Sequence, residues 1–115
     1  MRKLRLGGVV ISPDPLSNAR VAHLGELSVR HFMPAIFQNR QFVVAGGLAS
    51  YGGSIPDSHR LAGVHTGRVL KGEKPADLPV LQATKIELFI NMKTAKALGV
   101  AVPAAVLARA DEIVG

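Results

Sequence analysis

The sequence predicts an α/β domain built from parallel βαβ units, and three features carry that prediction. Short apolar runs such as Gly8-Val9-Val10-Ile11 are continuous instead of alternating, as strands buried on both faces of a parallel sheet are. Segments with apolar residues at helical spacing lie between these runs. Proline and glycine clusters punctuate the joints.

The first run is stopped by Ser12-Pro13-Asp14-Pro15, whose two prolines force an exposed turn. Ser17 or Asn18 can cap a helix in which Val21, Leu24 and Val29, with Ala22 and Leu27 beside them, recur up to about His31. Phe32 to Phe37 reads as the second strand, with Pro34 near its start where a missing donor is tolerable. Gln38-Asn39-Arg40 then turns the chain, completing a βαβ unit. A brief helix from Gln41 to Ala45 meets Gly46-Gly47, and Leu48 to Tyr51 is a third short strand closed by Gly52-Gly53-Ser54.

Ser54 can cap a helix that Pro56 opens; Leu61, Ala62, Val64, His65, Val69 and Leu70 line one side of it until Lys71-Gly72. A polar linker, Glu73 to Asp77, leads to extended chain at Leu78 to Leu81. Lys85 to Asn91 alternates polar and apolar residues as a strand with one wet face does, and Asn91 caps a helix from Met92 to Leu98. Gly99 ends that helix, Val100 to Val102 extends, and Pro103 opens a last helix to Ile113. The resulting order is β-α-β-β-α-β-α-α, without internal repeats.

Composition narrows the functional classes. A chain of 115 residues, 48% hydrophobic and with mean hydropathy +0.26, fills one ordinary core and is not disordered. With 4% aromatic residues and no Trp, it cannot build the basic and aromatic stacking surface that grips single-stranded nucleic acid. The net charge of +6 raises an anionic partner, but beyond Arg2, Lys3 and Arg5 the cations are spread over every segment, as solvated faces require. Neither nucleic acid nor membrane insertion is expected. Cysteine is absent, which excludes thiolate nucleophiles and disulfides. Met1 to Ile11 imitates a signal peptide, yet its apolar run is short, contains Gly7 and Gly8, and reads as a strand.

Catalytic constellations do not assemble. His59 and His65 stand six apart and so point to different faces of a helix, unlike an i, i+4 zinc pair. Ser50, Ser54 and Ser58 lack a GxSxG elbow, and Asp111-Glu112 read as two solvated charges near the end of the last helix. Gly46-Gly47 and Gly52-Gly53 flank a strand instead of joining a strand to a helix, so they do not form a phosphate cradle. No catalytic residue, metal or cofactor is predicted. Ligands of an open parallel sheet settle beyond the carboxyl ends of its strands. Those ends offer Ser12, Pro13 and Asp14, then Phe37, Gln38 and Asn39, then Ser50, Tyr51 and Gly52, which combine hydrogen-bonding groups with two aromatic rings and suit a small polar or amphipathic solute.

Phe42 to Gly52, Gly67 to Val80, Ile90 to Gly99 and Leu107 to Glu112, in this order, resemble the ABC-transporter substrate-binding proteins of the tryptophan/tyrosine-binding type. The resemblance implies part of a type I periplasmic-binding-protein fold: residues 1–47 would end the second lobe, 48–78 would supply a crossover strand and a first-lobe helix, and 79–115 would return to the second lobe. It implies a solute such as an amino acid, hinge closure, an ABC permease as partner, and a periplasmic location. The ligand-facing loops it implies fall on Pro13-Asp14, Phe37-Gln38 and Ser50-Tyr51, at the same strand ends. The chain carries neither an export signal nor, without cysteine, a lipobox, so a truncated product is expected in the cytoplasm. The competing expectation is a half-fold that pairs with a copy of itself, with a missing lobe or with a longer paralogue through its sheet edges.

Overall fold

The computed structural model describes residues 7–80 and 85–115. The chain divides into two compact units: one running to Gly52 and resuming at Glu87–Gly115, the other Gly53–Ile86. In the order of the chain, β1 (Val9–Val10) is followed by α1 (Pro15–Ala19), α2 (Val21–Arg30), β2 (Ala35–Phe37), α3 (Arg40–Val44) and β3 (Ala49–Gly53). Then come α4 (Ile55–Leu70), a 3-10 turn (Pro75–Asp77), β4 (Ile86–Asn91), α5 (Met92–Leu98), α6 (Ala104–Arg109) and β5 (Glu112–Val114).

The strands form one sheet in the order β1-β2-β3-β4-β5. The first three are parallel, with Val10 opposite Ile36 and Phe37 opposite Ser50. The Asn91 amide donates to Leu48 O at 2.9 Å and the Ser54 amide to Lys85 O at 3.0 Å, so β4 ends beside the start of β3 and runs against it. β5 is parallel to β4, with Phe89 opposite Glu112. The α/β class and the βαβ start follow the sequence pattern.

In the larger unit the core lies where α2 and α3 cover β1 and β2. Ala35, Phe37 and Phe42 are buried there, flanked by Val9, Ile11, Val21 and Leu24. The Phe37 and Phe42 rings meet edge to face, with centroids 5.8 Å apart, a geometry that adds to simple area burial. Small residues make the approach possible. A Cβ on Gly25 would come within 2.8 Å of Ala45 Cβ, and one on Gly47 within 2.3 Å of the Phe42 ring.

Several elements differ from expectation, each for a local reason. The first helix is two, because Asp14 caps it a turn earlier and Pro15 stands in its first turn, while Arg20 (φ −117°, ψ 25°) breaks the helical path. The second strand loses its first half: Phe32 turns to φ 50°, and the Met33 amide donates back to Ser28 O at 2.8 Å, closing the end of α2. Along β4 the burial does not alternate; Phe89, Ile90 and Asn91 are all buried.

The last helix stops at Arg109, and residues 112–114 form a strand instead. Pairing with β4 draws the chain away: Asp111 N donates to Leu88 O at 2.8 Å, and the Asp111 carboxylate accepts from Leu88 N at 2.7 Å. The two acidic residues are therefore engaged partners, not free solvated charges. Leu81 and the basic start of the chain lie outside the described residues.

The smaller unit is α4 and the segment after it. Ser54 caps α4 through Asp57 N at 3.2 Å, as its position before Pro56 suggested. Its ion pairs, Arg60 with Asp57 and Arg68 with Glu73, are exposed enough to add little.

Gly47→Ala is expected to destabilise the chain by about 1–3 kcal/mol through overpacking against Phe42. Gly63→Ala, where nothing lies within 4 Å, stabilises α4 by up to about 1 kcal/mol through helix propensity. Urea unfolding of both variants checks the pair, and equal small effects would contradict this account of the core.

Candidate functional site

The register of the parallel strands decides what can meet. Since Ile36 pairs with both Val10 and Ala49, and Phe37 with Ser50, the carboxyl ends of β1, β2 and β3 reach the same edge of the sheet. Pro13 and Asp14 follow the first strand, Gln38 the second, and Tyr51 stands one residue beyond Ser50 in the third. Gln38 and Tyr51 are the next residues along from the Phe37 and Ser50 pair. The edge is thus contiguous.

Solvent reaches these residues unequally. Pro13, Asp14, Gln38 and Tyr51 are exposed, Tyr51 at 58%. Phe37 is 2% exposed and belongs to the core against Phe42, while Ser50 is 1% exposed. Among the described residues the Ser50 hydroxyl is buried without a hydrogen-bond partner. The open edge offers a carboxylate, a primary amide and a phenol, with two buried residues one row behind.

Asp14 is already committed locally. Its Oδ1 accepts from Ser17 N and its Oδ2 from Ser17 Oγ, both at 2.8 Å. The backbone hydrogen bond from Ser17, with the hydroxyl second, holds the carboxyl below its ordinary value. Gln38 is set by its neighbours: Asn39 Oδ1 accepts from Gln41 N at 2.9 Å and starts α3, and a Cβ on Gly52 would lie 2.7 Å from Gln38 O. Bare backbone at Gly52 is what lets β3 pass this close.

Arg40 was not among the site residues read from the sequence. Arg40 forks onto Glu112, with Nη2 at 2.8 Å from Oε2, and its guanidinium stands 5.4 Å from the centre of the Phe89 ring. The partners are 72 residues apart, so no local pattern announces them. Asn39 did carry a legible signal, an Asn just before a helical run. Away from this edge, an open depression of about 570 Å³ is lined by Val29, Val44, Gly46, Asn91, Ala97 and Val114 among others. It shares no residue with the carboxyl ends of β1, β2 and β3, and Asn91 and Val114 in its lining close β4 and β5. Among the described residues no group of three or more His, Asp or Glu is placed to hold a metal ion, and no helix is long and apolar enough to cross a membrane.

A family model described as ABC transporter substrate binding protein matches residues 10–114. The chain belongs to that family. Among solved structures, this substrate-binding family member is similar to an ABC domain from Streptococcus pneumonia determined in complex with L-Trp, at 26% identity and a TM-score of 0.84. That match covers 98% of this chain and 39% of the other. A conserved domain protein from Vibrio cholerae O1 biovar El Tor has the same TM-score of 0.84 at 24% identity, over 95% of this chain and 37% of that one. A ligand-free, open substrate binding protein with adhesive properties from Clostridium difficile shares the fold at 21% identity and a TM-score of 0.61, over 92% of this chain and 36% of that one. The chain thus spans well under half the length of the proteins it matches. No curated protein sequence matches it. The periplasmic-binding-protein-like fold is that of these neighbours.

Because the Asp14 carboxyl is held down in the folded chain, its cap contributes above the ordinary carboxyl value and is lost as the pH falls through the lower folded value. An NMR titration is expected to give Asp14 a midpoint below 3.8. Asp14→Asn keeps a capping oxygen and removes this acid-side change. A midpoint at or above the ordinary value would contradict the capping geometry.

Proposed function

We propose that the chain is a solute-binding component, or a fragment of one, of an ABC importer, and that the β1–β3 strand-end edge forms one wall of its ligand cleft. The observation that carries the reading is the shared edge itself. Three parallel strands bring Pro13, Asp14, Gln38 and Tyr51 together at the open end of a sheet, where α/β ligands settle. Phe37 and Ser50 stand behind them and shape the wall. The L-Trp in the Streptococcus neighbour makes an amino acid the solute class to test first, with the Tyr51 phenol and the Gln38 amide as its polar and aromatic contacts.

The opposite wall belongs to the part of such proteins that this chain does not span. In this reading residues 1–47 and 79–115 serve the second lobe and 48–78 the crossover and a first-lobe helix. Solute touching both walls favours the closed form, which an ABC permease in the membrane then recognises, on the periplasmic side where such importers collect their cargo. No bond is made or broken in that cycle.

A second reading draws on β1. It stands at one end of the sheet order, and Val10 is 82% exposed. An apolar strand at the end of the sheet order among the described residues invites another strand, and a second copy of this chain would supply one without any ligand.

Thermal unfolding with L-tryptophan and other amino acids, together with the mass in solution, separates the two. Solute binding predicts a saturable rise in Tm, since ligand at about 100 times its Kd contributes about 2.7 kcal/mol, and loss of that rise in Tyr51→Ala. A dimer whose Tm ignores every solute supports the second reading and contradicts the first.

A further inference from the structure

We propose that Arg40 is the positioning residue of the candidate binding edge: its fork onto Glu112 across the face of Phe89 holds the Gln38-Asn39 segment in place. This rests on the solute-binding reading of that edge. Arg40 opens α3 only two residues after Gln38. The Arg40 Nε and Nη2 atoms donate to Glu112 Oε2 at 3.2 and 2.8 Å, and Nη2 also reaches Oε1 at 2.9 Å.

Geometry gives the contact its leverage. Glu112 lies on β5, the far edge strand, opposite Phe89 of β4. The Arg40 side chain therefore spans β4, its guanidinium 5.4 Å from the Phe89 ring centre, and ties the β2–α3 joint to a strand from the other end of the sequence. The ring supplies cation–π attraction along the way, and the planar fork fixes orientation as a lysine ammonium does not. On its other side Gln38 is pressed against Gly52, where a Cβ would lie 2.7 Å from Gln38 O. The segment is held between bare backbone and an ion pair.

Both charged side chains are near half exposed, 44% and 45%, so the fold does not stand on them and their replacement leaves a folded chain. Gly52 prevents collapse of Gln38 toward β3, and the Arg40 fork adds a restraint against an outward swing of the start of α3. The contact therefore acts on the edge and not on the core.

Backbone ¹⁵N relaxation on the whole chain tests this in Glu112→Gln and Arg40→Lys, with Tm and L-tryptophan affinity measured beside it. In both variants the order parameters of the Gln38 and Asn39 amides are expected to fall from about 0.85 toward 0.6, while Phe42 and Val43 stay rigid and the Tm barely moves. The Kd for L-tryptophan is expected to rise about two- to fivefold, the scale of a partly exposed pair. Unchanged order parameters at Gln38 and Asn39, or a loss of rigidity spread through α3 with a collapsed Tm, would overturn the assignment. If the unsubstituted chain ignores L-tryptophan, the solute reading of the edge loses its support, and the order parameters still decide whether Arg40 positions the segment.

Discussion

The larger unit depends on the complete burial of two residues at the heart of one short helix. Phe42 and Val43, both 0% exposed, lie at the centre of α3, and α2, β2, β4 and α5 each reach the helix or the turn that follows it. Phe42 meets Phe37 of β2, and α2 comes close because Gly25 has no side chain to keep Phe42 O and Ala45 away. The late part of the chain docks on the same place. Asn91 donates to Val43 O at 3.1 Å and Thr94 Oγ1 to Gly46 O at 2.8 Å. A five-residue helix has no stability of its own. It forms because two distant stretches of chain close over it.

That constraint explains how the edge is built. Once the Phe42 and Val43 centre of α3 is in place, the end of β2 that leads into it, with Gln38, is brought to the edge. Asn91 does two things at once: its Oδ1 caps α5 through Thr94 N at 3.0 Å while its amide group secures α3. The buried polar groups are thereby satisfied instead of left to weaken the core. Among the described residues of the larger unit Ser50 Oγ is the exception, and it stands directly behind the exposed edge.

Much of this was readable from the chain alone, and the parts that were not share a cause. Caps and stops are local: Ser54, Asn91 and Gly99, which adopts φ 69°, act where their neighbours in sequence say they will. The first βαβ unit is legible because its strands are continuous β-branched or aromatic runs. The final strand was hidden, since Glu112-Ile113-Val114 extends a helical pattern and becomes a strand only when β4 offers Leu88 and Phe89 as partners. Likewise Phe37 reads as a ligand-facing aromatic until Phe42 is seen to cover it. The shared strand-end edge was legible through the rule for parallel sheets, but which of its residues meet solvent depended on long-range packing.

The account stands or falls on α3 as the keystone of the larger unit. Native-state hydrogen exchange on the intact chain tests it most directly. The amides of Phe42 to Gly47 and of Asn91, which is bonded to Leu48 O, should open only with global unfolding and share the slowest rates in the molecule, with the denaturant dependence of the whole unit. Fast, local exchange through α3 while β1 and β2 remain protected would contradict it.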